Sequence, residues 1–481
     1  MPRRLLSVVA MSIVLPAMAF AQNPSPTPTT SPATQTAENE DLDSLKRKIR
    51  EQERRLAQLE SVKGEDTLRQ IQREETLKLL KEMKLVADKH SDLRVFWKEG
   101  IRMETADGDF KLHIGTRIQT DAFWMSEHGF REKRPLGNRK VEDGVAFRRA
   151  FLVLDGQIYK DVEFKFEWDF ASTTATGGKP QDVYMRLKNL PVVGALTVGH
   201  FKEPFSLEQL TSDANVTFME RSLADALAPA RNMGMMLSDA VLKDASKAER
   251  ATWAVGVFRD TNDFAFQQAD GGYNFTGRAT ALPWYQNKGQ QLLHTGVAYS
   301  GRSPEQATRF RQKPEAGLAP NLVDTGNIDA RCAQLIQGEV ATVIGPWHAS
   351  GEYVTALLEE DEAAGESGCV SGFNLQSGYF LTGETRPYKT STGTWDRVKP
   401  KKNFRENGGW GAWEVAGRYS FLDLNSDPME VAGGRIQDVT AGLNWYLNPN
   451  TKIMWNYVHS WQDLSQNTTA DIFMMRFQID F

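Results

Sequence analysis

Arginine and lysine recur on one parity of several alternating segments: Arg117, Arg149, Lys165, Arg186, Arg278, Arg418 and Arg476 all lie opposite the apolar positions of their own stretch. A file of such groups along a polar face offers an anion successive weak sites. Each replaces part of the hydration shell without trapping the ion. Carboxylates share that parity at Asp121, Asp155, Glu163, Glu167, Asp169, Asp182, Glu352 and Glu414, so the same cations can instead pair across neighbouring strands and brace a wall. The formal net charge of -5 gives no support to anion passage, and the two readings stay open at this level. Other chemistry is thinly represented. His90, His113, His128, His200, His294, His348 and His459 lack metal-ligand spacing, so no metal or cofactor is expected. His459, Asp463 and Ser465 have the residue types of a hydrolytic triad, but they sit at a strand end and in a loop where such residues are common, and no enzymatic activity is expected.

The segments that carry these residues have a period of two. Phe110, Leu112, Ile114, Thr116 and Ile118 face one way, and Lys111, His113, Arg117, Gln119 and Asp121 the other. Val162, Phe164, Phe166, Trp168 and Phe170 oppose Asp161, Glu163, Lys165, Glu167 and Asp169. A dry interior would not tolerate that second set, so a wet inward face is expected. In the last residues Phe473, Met475, Phe477, Ile479 and Phe481 oppose Met474, Arg476, Gln478 and Asp480. An apolar aromatic face with no covering partner reads as lipid-facing, and unpaired backbone groups are too costly in hydrocarbon for an open sheet. No apolar run long enough for a membrane helix follows the N-terminus. The expected fold is therefore all-β: a transmembrane antiparallel barrel of about sixteen strands, preceded by a short N-terminal helical coiled-coil segment. Connections alternate between tight turns (Tyr159-Lys160, Gly345-Pro346, Asn448-Pro449-Asn450) and long loops (Met125 to Gly144, Pro204 to Asn232, Gly301 to Ala330). Gly383 to Gly409 disobeys, being long where a tight turn is due.

Residues 1–21 carry Arg3 and Arg4, an apolar stretch and Ala19-Phe20-Ala21, the pattern of a secretory signal peptide. Residues 22–40 form a Pro/Thr-rich linker too polar to order itself. Residues 41–90 place Leu42, Leu45, Ile49, Leu56 and Leu59 at coiled-coil spacing, and 108–481 make the barrel. Export brings Cys332 and Cys369 into an oxidising compartment. Both are expected at the outer ends of neighbouring strands, where they would form a disulfide.

Phe147-Arg148-Arg149-Ala150, Glu163-Phe164-Lys165-Phe166, Gly199-His200-Phe201-Lys202, Phe218-Met219-Glu220-Arg221-Ser222 and Gly408-Gly409-Trp410-Gly411-Ala412-Trp413-Glu414 resemble, in combination, the phosphate-selective porin O/P family. The resemblance implies an outer-membrane trimer of sixteen-stranded barrels, each with a long third loop folded inward, and anion passage over inward arginines and lysines. Here that loop is Pro204 to Asn232. It adds Arg221 and Arg231 to the anion path, with Arg221 expected to face the pore while Glu220 anchors the loop. The implied function is a water-filled channel for small anions, phosphate or polyphosphate among them, with the N-terminal segment in the periplasm. Outer-membrane lipid, a homotrimer and cell-wall contact through the coiled coil are the implied partners; no nucleic acid is. A general small-solute porin and a structural protein tying the membrane to the cell wall are the alternatives.

Overall fold

The computed structural model describes residues 50–51, 54, 93–128, 143–171, 177–245, 247–268, 272–304, 307–360, 366–463 and 467–481. The chain divides into Met1–Asp88 and Lys89–Phe481. Of the first unit only Arg50, Glu51 and Arg54 are described, all helical; the expected signal peptide and linker, and the other residues of the expected coiled coil, lie outside the described residues.

A short hairpin, β1 (Leu93–Trp97) and β2 (Ile101–Thr105), precedes β3 (Phe110–His128), β4 (Gly144–Ile158), β5 (Val162–Asp169), β6 (Lys179–Leu190), β7 (Gly194–Lys202), β8 (Arg231–Lys243), β9 (Glu249–Arg259), β10 (Tyr273–Gln286) and β11 (Gln291–Arg302). A two-residue ladder, β12 (Arg311–Gln312) with β13 (Val323–Asp324), interrupts the wall sequence. The wall resumes with β14 (Ala330–Ile344), β15 (Trp347–Glu360) and β16 (Ser367–Phe380). A second ladder, β17 (Tyr388–Lys389) with β18 (Thr394–Trp395), precedes β19 (Ala412–Ser426), β20 (Val431–Asn448), β21 (Thr451–Asp463) and β22 (Asn467–Asp480). Apart from the opening hairpin and the two small ladders, sixteen strands pair antiparallel in sequence order, and β22 closes the circuit on β3 from Thr469↔His128 to Asp480↔Arg117. Closure leaves no open edge at membrane depth.

Alternation carries through the wall. Val297, Tyr353, Leu375 and Phe477 are exposed on the outer face, while Gln119, Asn444, Arg476 and Gln478 are buried on the inner one. The tight connections are chemically apt: in the three-residue connection between Ile158 and Val162, Tyr159 and Lys160 both take left-handed φ, 48° and 64°.

The lower part of β3 extends below the C-terminus and pairs there with β2, from Ile101↔Ile114 to Glu104↔Lys111. Phe481 ends the barrel seam: its N–H donates to Thr116 O at 3.0 Å, its carbonyl accepts from Thr116 N at 2.9 Å, and its ring lies 5.0 Å from that of Trp97. Deleting Phe481 removes all three contacts at the point of closure. The fraction of unheated protein migrating as folded barrel on a gel is expected to fall severalfold, and a normal folded band would refute the reading.

The structure corrects three expectations. The inward face is only partly wet. Phe205, Leu223 and Leu227 from the β7–β8 connection pack against inward Leu335, Val354, Val370, Leu422 and Ile436, making a dry core inside one half of the lumen. Arg231 is the first residue of strand β8 rather than part of the loop before it. The cysteines are free, because β15 separates them: Cys332 stands opposite Glu359 of β15, and Cys369 opposite Leu357. Two inter-strand steps put their Cα atoms about 10 Å apart, beyond the roughly 7 Å that a disulfide spans.

Candidate functional site

Three connections fold into the barrel. Glu203 to Ala230, between β7 and β8, is held by carboxylates of the wall. Ser206 caps the short helix α1 (Leu207–Leu210), accepting from Gln209 N at 3.0 Å. Leu207 N donates to Glu339 Oε2 (2.8 Å), Glu208 N to Glu352 Oε1 (2.7 Å) and Ser206 Oγ to Glu352 Oε2 (2.6 Å). Such charge-assisted bonds to the free N–H groups of a helix start fix its place on the wall. On the opposite wall Glu220 accepts from Arg148 Nε and Nη2 (2.8 and 2.9 Å) and from Arg476 Nη2 (2.9 Å). The second insertion, Ser303 to Asp329, sets Glu315 on Arg418, with Glu315 N donating to Asp438 Oδ2 at 2.8 Å.

The third is Leu381 to Gly411, the segment that is long where a tight turn is due. It leaves the barrel wall at the tight-turn end and returns upward into the lumen. The Tyr388 hydroxyl lies 2.7 Å from His294 Nδ1, whose Nε2 lies 3.0 Å from Glu339 Oε1. Arg278 Nη2 donates to Gly393 O (2.8 Å) and to Glu339 Oε1 (2.5 Å). Trp395 packs with Leu207, Leu282, Leu292 and Val343, so this segment meets the β7–β8 connection from below.

Between these insertions and strands β3 to β9 a polar passage remains. It comprises two cavities, and Ser212 to Val216, which contributes to the lining of both, is the narrow point between them. Arg149 Nε lies 3.1 Å and Arg117 Nη1 4.0 Å from Asp213 Oδ2, Arg221 pairs with the same carboxylate, and Arg117 Nη2 donates to Ser212 Oγ at 3.1 Å. Burial alone would raise the Asp213 carboxyl; Arg149, Arg221, Lys202 and Arg117 overcome it and hold the group well below the ordinary carboxylate range. One carboxylate amid three guanidinium groups, those of Arg117, Arg149 and Arg221, leaves a positive excess. Nearby Asp225 goes the other way, pushed up to about 6 by burial despite Arg221, and still carries most of its negative charge at neutral pH. Below the narrow point, Lys165 Nζ and Arg231 Nε each lie 2.6 Å from Asp182, and Arg186 makes no ion pair among the described residues.

Below lies a cavity of about 810 Å3. Its lining has seven cations (Lys165, Arg186, Lys188, Lys202, Lys243, Arg278 and Lys389) and three carboxylates (Asp239, Glu249 and Asp396). A smaller cavity above, about 210 Å3, is balanced: Arg148, Arg149, Arg221 and Lys313 against Asp213, Glu220, Asp225 and Glu315. Positive excess is thus concentrated below the narrow point.

Of the sequence candidates, Arg117, Arg149, Lys165, Arg186, Arg221 and Arg231 converge on this passage. Arg278 lies at its edge and clamps the Leu381–Gly411 segment. Arg418 and Arg476 do not face it. Arg418 is buried on Glu208 (3.1 Å), Glu315 and the Phe218 ring (4.4 Å), and Arg476 is fully buried on Asp121 (2.7 and 2.6 Å) and Glu220. They brace inserted loops. Glu220 anchors, as expected, but Arg221 also binds its own loop through Glu208 O, Gln209 O and Thr211 O. His459 pairs with Asp471 (2.5 Å) rather than Asp463, and Ser465 lies outside the described residues.

Sequence reasoning missed Lys202, whose Nζ donates to Gln209 O at 2.6 Å. By alternation from Val198 it should face lipid, but regular alternation ends at Gly199, where φ is 142°, and both His200 and Phe201 beyond it are buried. It missed Arg148 for the same kind of reason: a register shift between Gln119 and Thr120 lies opposite it.

Arg476→Ala leaves Asp121 without its buried partner and Glu220 with Arg148 alone, a change that costs about 3–5 kcal/mol. Markedly faster proteolysis within Val216 to Arg221 is expected, and unchanged resistance would show that Arg148 alone holds the loop.

The sequence model described as phosphate-selective porin O and P matches residues 128–481. Porin O of Pseudomonas aeruginosa is 28% identical over 419 residues, covering 79% of this chain and 90% of that protein. Among solved structures, the outer membrane channel DcaP of Acinetobacter baumannii aligns at 10% identity with a TM-score of 0.47, covering 78% of this chain and 99% of the other. An anion-selective porin from Comamonas acidovorans aligns at 12% identity with a TM-score of 0.46, covering 77% and 100%.

Proposed function

The chain belongs to the phosphate-selective porin O and P family, and from that premise we propose that it is an outer-membrane channel through which small anions, phosphate among them, diffuse past the Ser212–Val216 narrowing. The observation that carries the anion preference is local. Although the whole chain has a net charge of -5, the cavity below the narrowing has seven cations to three carboxylates. In a confined passage the nearby charges set the potential, because water and salt screen distant ones. Arg117, Arg149, Lys165, Arg186, Lys202, Arg221 and Arg231 form the path in this reading. Paired cations contribute where they outnumber their carboxylates: Arg117, Arg149 and Arg221 gather on Asp213, with Asp225 3.9 Å from Arg221, whereas Lys165 and Arg231 are balanced by Asp182 and Glu167. The tight-turn end, with both barrel termini, faces the periplasm, as even-stranded barrels arrange themselves, and the working unit is a homotrimer.

Reversal potential in a potassium chloride gradient across a planar bilayer tests the reading. Anion-selective reversal, with chloride current reduced by added phosphate, is expected. Open steps without ion preference would indicate a general solute porin, and the absence of steps a structural envelope role.

A further inference from the structure

The outer half of the Leu381–Gly411 segment has no part in the passage. Beyond Val398 the chain leaves the lumen and passes to the outer face of the barrel at its tight-turn end. Phe404 N donates to Leu447 O at 2.7 Å, the Phe404 ring sits edge-on to Trp445 with centroids 4.9 Å apart, and Trp445 Nε1 donates to Trp410 O at 2.8 Å. Trp445 stacks on Trp413 at 5.0 Å, and Trp413 on Trp455 at 6.4 Å. These three tryptophans share the outward parity of Val415, Val439 and Tyr457, which are exposed to the lipid side. They form an aromatic girdle at the membrane boundary.

The stretch from Lys401 to Trp410 that reaches this girdle is net basic, with three cations to one carboxylate, the exposed Glu406. Lys401, Lys402 and Arg405 are exposed, and none makes an ion pair among the described residues. Arg405 lies over the Phe404 ring, 5.3 Å from its centroid, and Trp410 is 74% exposed. A protein surface meant only for water has no use for a projecting tryptophan, and one meant only for hydrocarbon excludes three unpaired cations. An aromatic side chain at headgroup level flanked by cations fits the boundary between acyl chains and negatively charged headgroups.

We propose that Lys401, Lys402, Arg405 and Trp410 form a binding site for an anionic phospholipid headgroup at the tight-turn end of the barrel. The complementarity is of charge and of depth: the cations supply the counter-charge, and Trp410 reaches the acyl region beside the stacked tryptophans. The site makes the Leu381–Gly411 segment two-sided, with its inner half filling the lumen and its outer half held against lipid.

The test is the fraction of motionally restricted spin-labelled phosphatidylglycerol, compared with spin-labelled phosphatidylcholine, around the full-length protein in phosphatidylcholine vesicles. Wild type is expected to prefer phosphatidylglycerol severalfold, and the triple variant K401E/K402E/R405E to lose that preference while keeping its folded gel migration. A spin label on the acyl chain reports lipid and not free phosphate. Both leaflets present the probe, so the outcome does not depend on orientation, and conductance of the same preparations reports the channel reading separately. Equal association of the two lipids with wild type, or an undiminished preference in the triple variant, would overturn the proposal. So would efficient cross-linking between protomers through Lys402→Cys, which would place a second copy of the chain on this face.

Discussion

Replacing Arg186 with glutamate is expected to shift the anion-to-cation permeability ratio toward cations by tenfold or more, with assembly intact. Arg186 projects into the cavity below the narrowing. Its cross-strand neighbour Glu163 is engaged instead by Lys188, at 2.8 Å. No ion pair is therefore broken by the substitution, and no loop is anchored on this side chain. The change reverses a charge, a difference of two units, and its effect follows for an ion taken to pass at about 7 Å. At an effective dielectric of about 20 each unit is worth roughly 2 kcal/mol at that distance, and about 1.4 kcal/mol corresponds to tenfold. Arg186→Gln should give about half the free-energy shift. Arg221→Glu is a poorer probe, because Arg221 also ties together its own loop. A reversal potential unmoved by Arg186→Glu would mean that ions are selected at Arg117 and Arg149 alone, before they reach this cavity.

The wall was legible in the sequence because a barrel imposes one rule on every strand. Apolar and polar residues must alternate, and Phe473 to Phe481 states that rule as clearly as Val162 to Phe170. The sixteen-strand circuit and its closure by the last strand follow from it. The site was legible only in part. Arg117, Arg149, Lys165 and Arg186 keep the alternation and were found by it. Lys202 stands beyond Gly199, where alternation lapses, and was lost. Arg418 and Arg476 obey the rule yet face inserted loops instead of water, a distinction that depends on how the Glu203–Ala230 and Ser303–Asp329 connections fold. Parity tells inside from outside, but not which inside positions stay wet. The disulfide failed for a related reason: position along the rim was read well, but one intervening strand settles whether two rim residues can touch. The Gly383–Gly409 stretch declared itself through its length alone, and nothing in its composition announced that Trp395 would pack beneath the β7–β8 connection.

Excising that segment should have the largest effect on conductance. With Gly383 to Trp410 replaced by an Asn-Gly turn, β16 and β19 keep their pairing, which runs from Ser371↔Asp423 to Phe380↔Glu414 and uses no residue of the removed stretch. The barrel is therefore expected to fold, with lower thermal stability, because Leu207, Leu282 and Leu292 lose their cover by Trp395 and Phe380 loses that of Val398. His294 loses Tyr388, and Arg278 loses its bond to Gly393. The lumen then opens on the side away from β4 to β9. Ions can travel farther from the cationic wall than the screening length of about 8–10 Å in physiological salt, so anion preference should fall as current rises. A severalfold larger single-channel conductance, a reversal potential closer to zero and passage of sugars excluded by wild type are the expected results in bilayers and swelling assays. Unchanged conductance would show that the Ser212–Val216 narrowing limits flow by itself, and that the segment below it serves the stability of the inserted loop rather than the width of the path.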